Sequence, residues 1–192
     1  SLAFGAYNLV VTATDTDGLT DSDQINFTVN GLPTAPVVSI TPGTPTTTDG
    51  LNVSIDTPSI DPEGNTVSYT YEWQLGGQVQ STQITSSLPS SATSKGEQWT
   101  VVVTPNDGIA DGVSGMASVV IGNTAPTVGA VSVTPAGTVY NDDFLTCSAT
   151  VTDPDETPTT TYEWAIGGSV VATGSTLDLS TSGGMPGDTV VC

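Results

Sequence analysis

The sequence predicts an all-β protein built of antiparallel two-sheet sandwich modules in series. Three observations carry that expectation: apolar residues alternate with small polar ones, the same motifs return after about 90 residues, and turn residues punctuate the chain at short intervals. Alternation is clearest in Tyr7, Leu9, Val11 and Ala13, in Trp99, Val101 and Val103, and in Leu145, Cys147, Ala149 and Val151. That is the period of half-buried strands. No stretch carries apolar residues at helical spacing over three turns, so no helix is expected. Hydrophobic residues make up 36% of the chain and charged ones only 11%, enough apolar content for sandwich-sized cores. Ser, Thr, Asn, Gln and Gly carry the polar balance, which suits strands and turns better than long helices.

The repeat sets the module boundaries. TYEWQLGG (70–77) returns as TYEWAIGG (161–168), DPEG (61–64) as DPDE (153–156), and GEQWTV (96–101) as GDTVVC (187–192). Upstream, ATDTDG (13–18) matches VTPNDG (103–108), and PTAP (33–36) matches NTAP (123–126). Residues 1–32 therefore read as the last two strands of a first module, 33–122 as a complete module, and 123–192 as a third module lacking its last strand or strands. Pro33, Pro36 and Pro126 fall at the joints, where a fixed φ stiffens a linker and the missing donor costs no ladder bond. Within TVSYTYEWQL (66–75), Val67, Tyr69, Tyr71, Trp73 and Leu75 share one face and Ser68, Thr70, Glu72 and Gln74 the other, so the aromatic face is expected inside.

With NTAP, the Asp-Pro-Glu or Asp-Pro-Asp loop, YEW and VTPNDG in these positions, the chain resembles the tandem immunoglobulin-like repeats, akin to PKD and cadherin-like modules, of large secreted bacterial and archaeal surface proteins. The resemblance covers essentially the whole chain. It implies an Ig-like sandwich with a core tryptophan on this strand, Trp73 and Trp164, set against a contact that joins the two sheets. In the third module it implies a disulfide between Cys147 and Cys192; Val53 and Val101 occupy the equivalent places in the middle module and are expected to fill them by packing.

Acidic residues gather in loops: Asp15, Asp17, Asp21 and Asp23; Asp61 and Glu63; Asp107 and Asp111; Asp153, Asp155 and Glu156. In a sandwich of this strand order, the loop before TYEW and the Asn-Asp-Gly loop emerge at the same end, near the preceding module. Hard oxygens without imidazole or thiolate suit Ca²⁺, so a calcium site at the junctions is expected from Asp61, Glu63 and Asp107, and from Asp153 and Asp155 in the third module. The competing reading is that Asp, Asn and Gly simply build turns, with Asp capping its own backbone.

A net charge of −19 with a single basic side chain, Lys95, excludes the electrostatic footprint of a nucleic-acid binder or of a protein held to anionic lipid by charge. No apolar run is long enough for membrane insertion, and no signal peptide is visible at the start. Without histidine, a Ser or Cys nucleophile lacks its usual base, and the Gly-Gly pairs follow strands rather than opening a phosphate-binding helix, so no enzymatic activity is expected. What remains is an extracellular structural role, a stalk or fibre of tandem modules that projects from or links cells, with neighbouring repeats or further copies as partners. The alternative is an adhesin whose end loops bind a glycan or protein. Asn26 and Asn52 open N-glycosylation sequons on expected strands, both facing outward.

Overall fold

The computed structural model describes residues 2–192. It is all-β apart from single helical turns, and its antiparallel sheets fall in two compact units, one ending at Gly122 and one covering Asn123–Cys192.

The first unit opens with a hairpin. β1 (Gly5–Thr14) and β2 (Thr20–Val29) pair in unbroken register from Gly5 opposite Val29 to Thr14 opposite Thr20. Its turn closes because Asp15 Oδ1 accepts from the amides of Asp17 and Leu19, while Gly18 takes a positive φ of 87° that other residues resist. Tyr7 and Phe27 stack with centroids 5.5 Å apart, yet the rest of that apolar face, Leu9, Val11 and Ile25, is exposed.

After the linker come β3 (Val37–Thr41), β4 (Leu51–Thr57), β5 (Ser68–Leu75), β6 (Gln78–Val79), β7 (Ser87–Leu88), β8 (Gln98–Asn106) and β9 (Gly115–Val120). They form two sheets, β3-β4-β7 and β6-β5-β8-β9. Both sheets supply one core: Ile40, Leu51 and Leu88 from the first, Trp73, Trp99, Val101, Val103 and Val119 from the second, with Ile121 beside them. On β5 the expected alternation holds, with Trp73 fully buried and Tyr69, Tyr71 and Leu75 half-buried on the inner side. Trp99 meets Trp73 edge to face at 6.4 Å. Val101 is buried, whereas Val53 is half-buried and packs against the same cluster.

The second unit contains β10 (Thr127–Thr134), β11 (Phe144–Thr152), β12 (Glu163–Ile166), β13 (Ser169–Thr173), β14 (Thr176–Asp178) and β15 (Val190–Val191). Its sheets, β10-β11-β14 and β13-β12-β15, repeat the strand orders β3-β4-β7 and β6-β5-β8. Leu145, Cys147, Trp164, Ile166, Leu177 and Leu179 make its core. Cys147 on β11 and Cys192, just past β15, form a disulfide that ties one sheet to the other.

The expectation of no helix needs one correction. Leu179–Ser182 forms a single α turn, α1, and Ser90–Ala92 a 3-10 turn. α1 exists because the Asp178 carboxylate caps the Ser180 amide and Gly183, at φ 78°, ends the turn. One turn is too short to leave a helical period in the sequence.

Replacing either indole removes a fully buried side chain from its own unit. Trp73→Ala and Trp164→Ala are each expected to cost about 3–5 kcal/mol in urea unfolding, and a near-neutral shift would place the indole outside the core. Reduction of Cys147–Cys192 should destabilise the second unit by about 2–4 kcal/mol and leave the unfolding of the first unit in the same chain unchanged.

Candidate functional site

Among the described residues the carboxylates are the densest chemistry, and the structure shows what most of them hold. Four of them close the same reciprocal turn. Asp49 Oδ2 accepts from the Thr46 amide and Glu97 Oε2 from the Ser94 amide; in the second unit Asp143 Oδ2 accepts from Tyr140 and Asp188 Oδ2 from Met185. In each, the acid's own amide donates back to the carbonyl of the residue it caps. The acid therefore stands three places after its partner, a spacing that a tight turn brings into contact. These turns occupy corresponding places in the two units, Asp49 with Asp143 and Glu97 with Asp188.

The expected calcium ligands lie in loops closed by acids of the opposite sense, each accepting from amides two to four residues after it. Asp61 Oδ1 accepts from the amides of Glu63 and Asn65, and Asp153 Oδ1 from those of Asp155 and Glu156. Asp107 Oδ1 accepts from Ile109 and Ala110 at 2.8 and 2.7 Å. The remaining oxygens reach the linkers. Glu63 Oε1 accepts from the Gly31 amide at 3.0 Å, Asp107 Oδ2 from the Asn30 side-chain amide at 2.7 Å, and Asp155 Oδ2 from the Thr124 amide.

The structure thus brings Glu63 and Asp107 to one linker and leaves Asp153 and Asp155 in the second unit, with Glu63 Oε1, both Asp107 oxygens, Asp153 Oδ1 and Asp155 Oδ2 each accepting from a backbone or side-chain N–H. Asp61 Oδ2 differs: its residue is only 5% exposed, and among the described residues this oxygen accepts no hydrogen bond. No group of three or more His, Cys, Asp or Glu side chains able to hold a metal ion forms among the described residues. As they stand, these oxygens do not make the six- to eightfold shell that calcium takes.

Hydrogen bonding also sets the charge state of two of these acids. The Asn30 amide, followed by the Ala110 and Ile109 amides, holds the Asp107 carboxyl below its ordinary value. The backbone amide and then the hydroxyl of Thr46 do the same for Asp49.

Sequence reasoning missed Asn30 and Gly31, which meet residues 77 and 32 positions away. The available signal was an Asn-Gly pair directly ahead of a proline-marked joint. Asn26 and Asn52 are both exposed, on β2 and β4, the outward placement the strand alternation predicts. No helix among the described residues is long and apolar enough to cross a membrane. In comparison with known proteins, the chain matches no family model and no curated sequence.

The Asp49 cap makes a pH prediction. Its folded pKa lies below the ordinary carboxylate value, so its contribution is present above that ordinary value and is lost as pH falls through the lowered folded one. Asp49→Asn should therefore reduce the difference in Tm between pH 6 and pH 2.5 relative to the parent chain. An identical acid profile for the two proteins would remove the cap from the stability account.

Proposed function

We propose that the protein is a noncatalytic extracellular structural element, a stalk or fibre of tandem Ig-like sandwich repeats that projects from or links cells. One observation carries this reading: carboxylates recur at corresponding places in successive repeats, and in each place they cap turns. Asp49 and Asp143, Glu97 and Asp188, and Asp61 and Asp153 are matched pairs in position and in hydrogen-bonding role. Residue types that could perform acid-base chemistry are thus engaged in repeating the architecture. Separate cores and a disulfide suited to an oxidising compartment support the same reading. A charge of −19 keeps such modules soluble and apart. The resemblance to secreted surface repeats agrees with it.

Electron microscopy of the native material tests the proposal directly. Thin filaments or tethers at a cell surface are the expected result, and a compact intracellular particle would overturn it.

Calcium belongs to this reading as a separate proposal, motivated by the buried Asp61 Oδ2. If the Asp61 and Glu63 loop takes up the ion, millimolar calcium should raise the Tm of the 192-residue chain and Asp61→Asn should abolish the increase. Equal Tm values with calcium and with a chelator would dispose of it.

A further inference from the structure

We infer that Asn30–Gly31 is a stiff joint, locked by acids from two different loops, which fixes the direction in which the β1–β2 hairpin leaves the sheets. The stretch between β2 and β3 is short and fastened along its length. Beyond Gly31, the Thr34 amide donates to the Ile60 carbonyl at 3.0 Å and the Ile60 amide to Thr34 Oγ1 at 2.8 Å. The Val113 amide donates to the Pro33 carbonyl, and Pro33 is fully buried. A Cβ at Gly112 would overlap that carbonyl, so the loop lies directly on the linker. The segment from Pro33 onward is therefore part of the body, and freedom to swing is confined to the residues just after Val29.

Those residues are held from two sides. The Gly31 amide donates to Glu63 Oε1 and the Asn30 side chain to Asp107 Oδ2. A single hydrogen bond leaves the chain free to rotate about it. Two bonds to acceptors on separate loops remove that rotation, and carboxylate acceptors make each roughly twice as strong as a neutral pair. The packing is close as well: a Cβ on Gly31 would meet Pro62 Cγ and both carboxylate oxygens of Glu63 at 2.9–3.2 Å. Within the second unit an acid of the corresponding loop, Asp155, likewise accepts from a backbone amide ahead of the first strand, that of Thr124, the counterpart of Thr34.

The inference concerns stiffness alone and does not depend on the stalk reading. ¹⁵N relaxation on the 192-residue chain tests it, with body amides in β4, β5 and β8 as the internal reference. In the parent protein the β1 and β2 amides should report the same rotational correlation time as the body, with order parameters at Asn30 and Gly31 near about 0.85. In Glu63→Ala combined with Asn30→Ala the hairpin should relax as an independent, faster body, and the order parameters at positions 30 and 31 should fall below about 0.6. Glu63→Gln, which keeps an acceptor oxygen, should restore common tumbling when Asn30 is intact. Asn30→Asp, which sets a carboxylate against Asp107 and leaves β3 to β9 untouched, is the second loosening variant should the double one lose its dispersed body spectrum. Independent hairpin motion in the parent chain, or common tumbling retained in the folded loosening variants, would overturn the inference.

Discussion

The indole N–H is the constraint on which each core depends. Burying tryptophan removes a large apolar surface from water but strands one donor, and an unsatisfied buried donor costs about 1–3 kcal/mol. Trp73 gives its N–H to the Thr85 carbonyl and Trp164 gives its own to the Gly174 carbonyl. Both acceptors lie on the segment that carries the chain from the tryptophan's sheet to the opposite one. The next residue in each segment, Ser86 or Ser175, accepts from the amide of Val53 or Cys147 in that opposite sheet. The crossing strand is thereby held between the two layers, and the pairing of β7 with β4, or of β14 with β11, follows from where it is held. A phenylalanine in place of the indole would supply the apolar bulk without this tether.

Alternation alone does not make a core, as the β1–β2 hairpin shows. Its inner-type residues follow the same period as β8, yet Leu9 is 53% exposed and Val11 65%, while Val101 and Val103 on β8 are fully buried. The difference is a facing sheet. β8 lies in a sheet that shares its core with β3-β4-β7, whereas β1 and β2 form a two-stranded sheet of their own. An isolated ribbon buries little of its own side chains and is marginal by itself, so the anchoring of residues 30 to 34 matters to where it points.

The strands were legible because period two depends only on neighbours in sequence, and Trp73 and Trp164 were legible as core centres because they sit in phase with that period. Cys147 and Cys192 could be placed through the family resemblance, since it states which strands face each other. The joint was not legible in the same way. Asn30 meets Asp107 and Gly31 meets Glu63 only after two sheets have closed and brought distant loops together. The carboxylates divide along the same line. Their clustering in loops was visible, but the direction of each oxygen is decided by turns such as Thr46–Asp49, where a donor three residues back takes the acid first. α1 escaped because its cause is a cap at Asp178 and a left-handed glycine, both local and neither periodic.

The two units also show that one architecture tolerates different ways of filling its centre. In the first, Val101 is buried, Val53 packs at the margin, and Trp99 adds a second indole against Trp73. In the second, the place of Trp99 is taken by Val190, which is only half-buried, and the buried cluster has six members where the first has nine. Less apolar surface leaves less to offset the entropy of ordering the chain. The disulfide acts on that deficit from the other side, by restricting the unfolded chain across a separation of 45 residues. A covalent bond thus stands where the first unit has Val53 and Val101, the first unit gains the bulk of a second tryptophan elsewhere in its core, and the shared features, a buried indole and its carbonyl acceptor, are the ones neither unit alters.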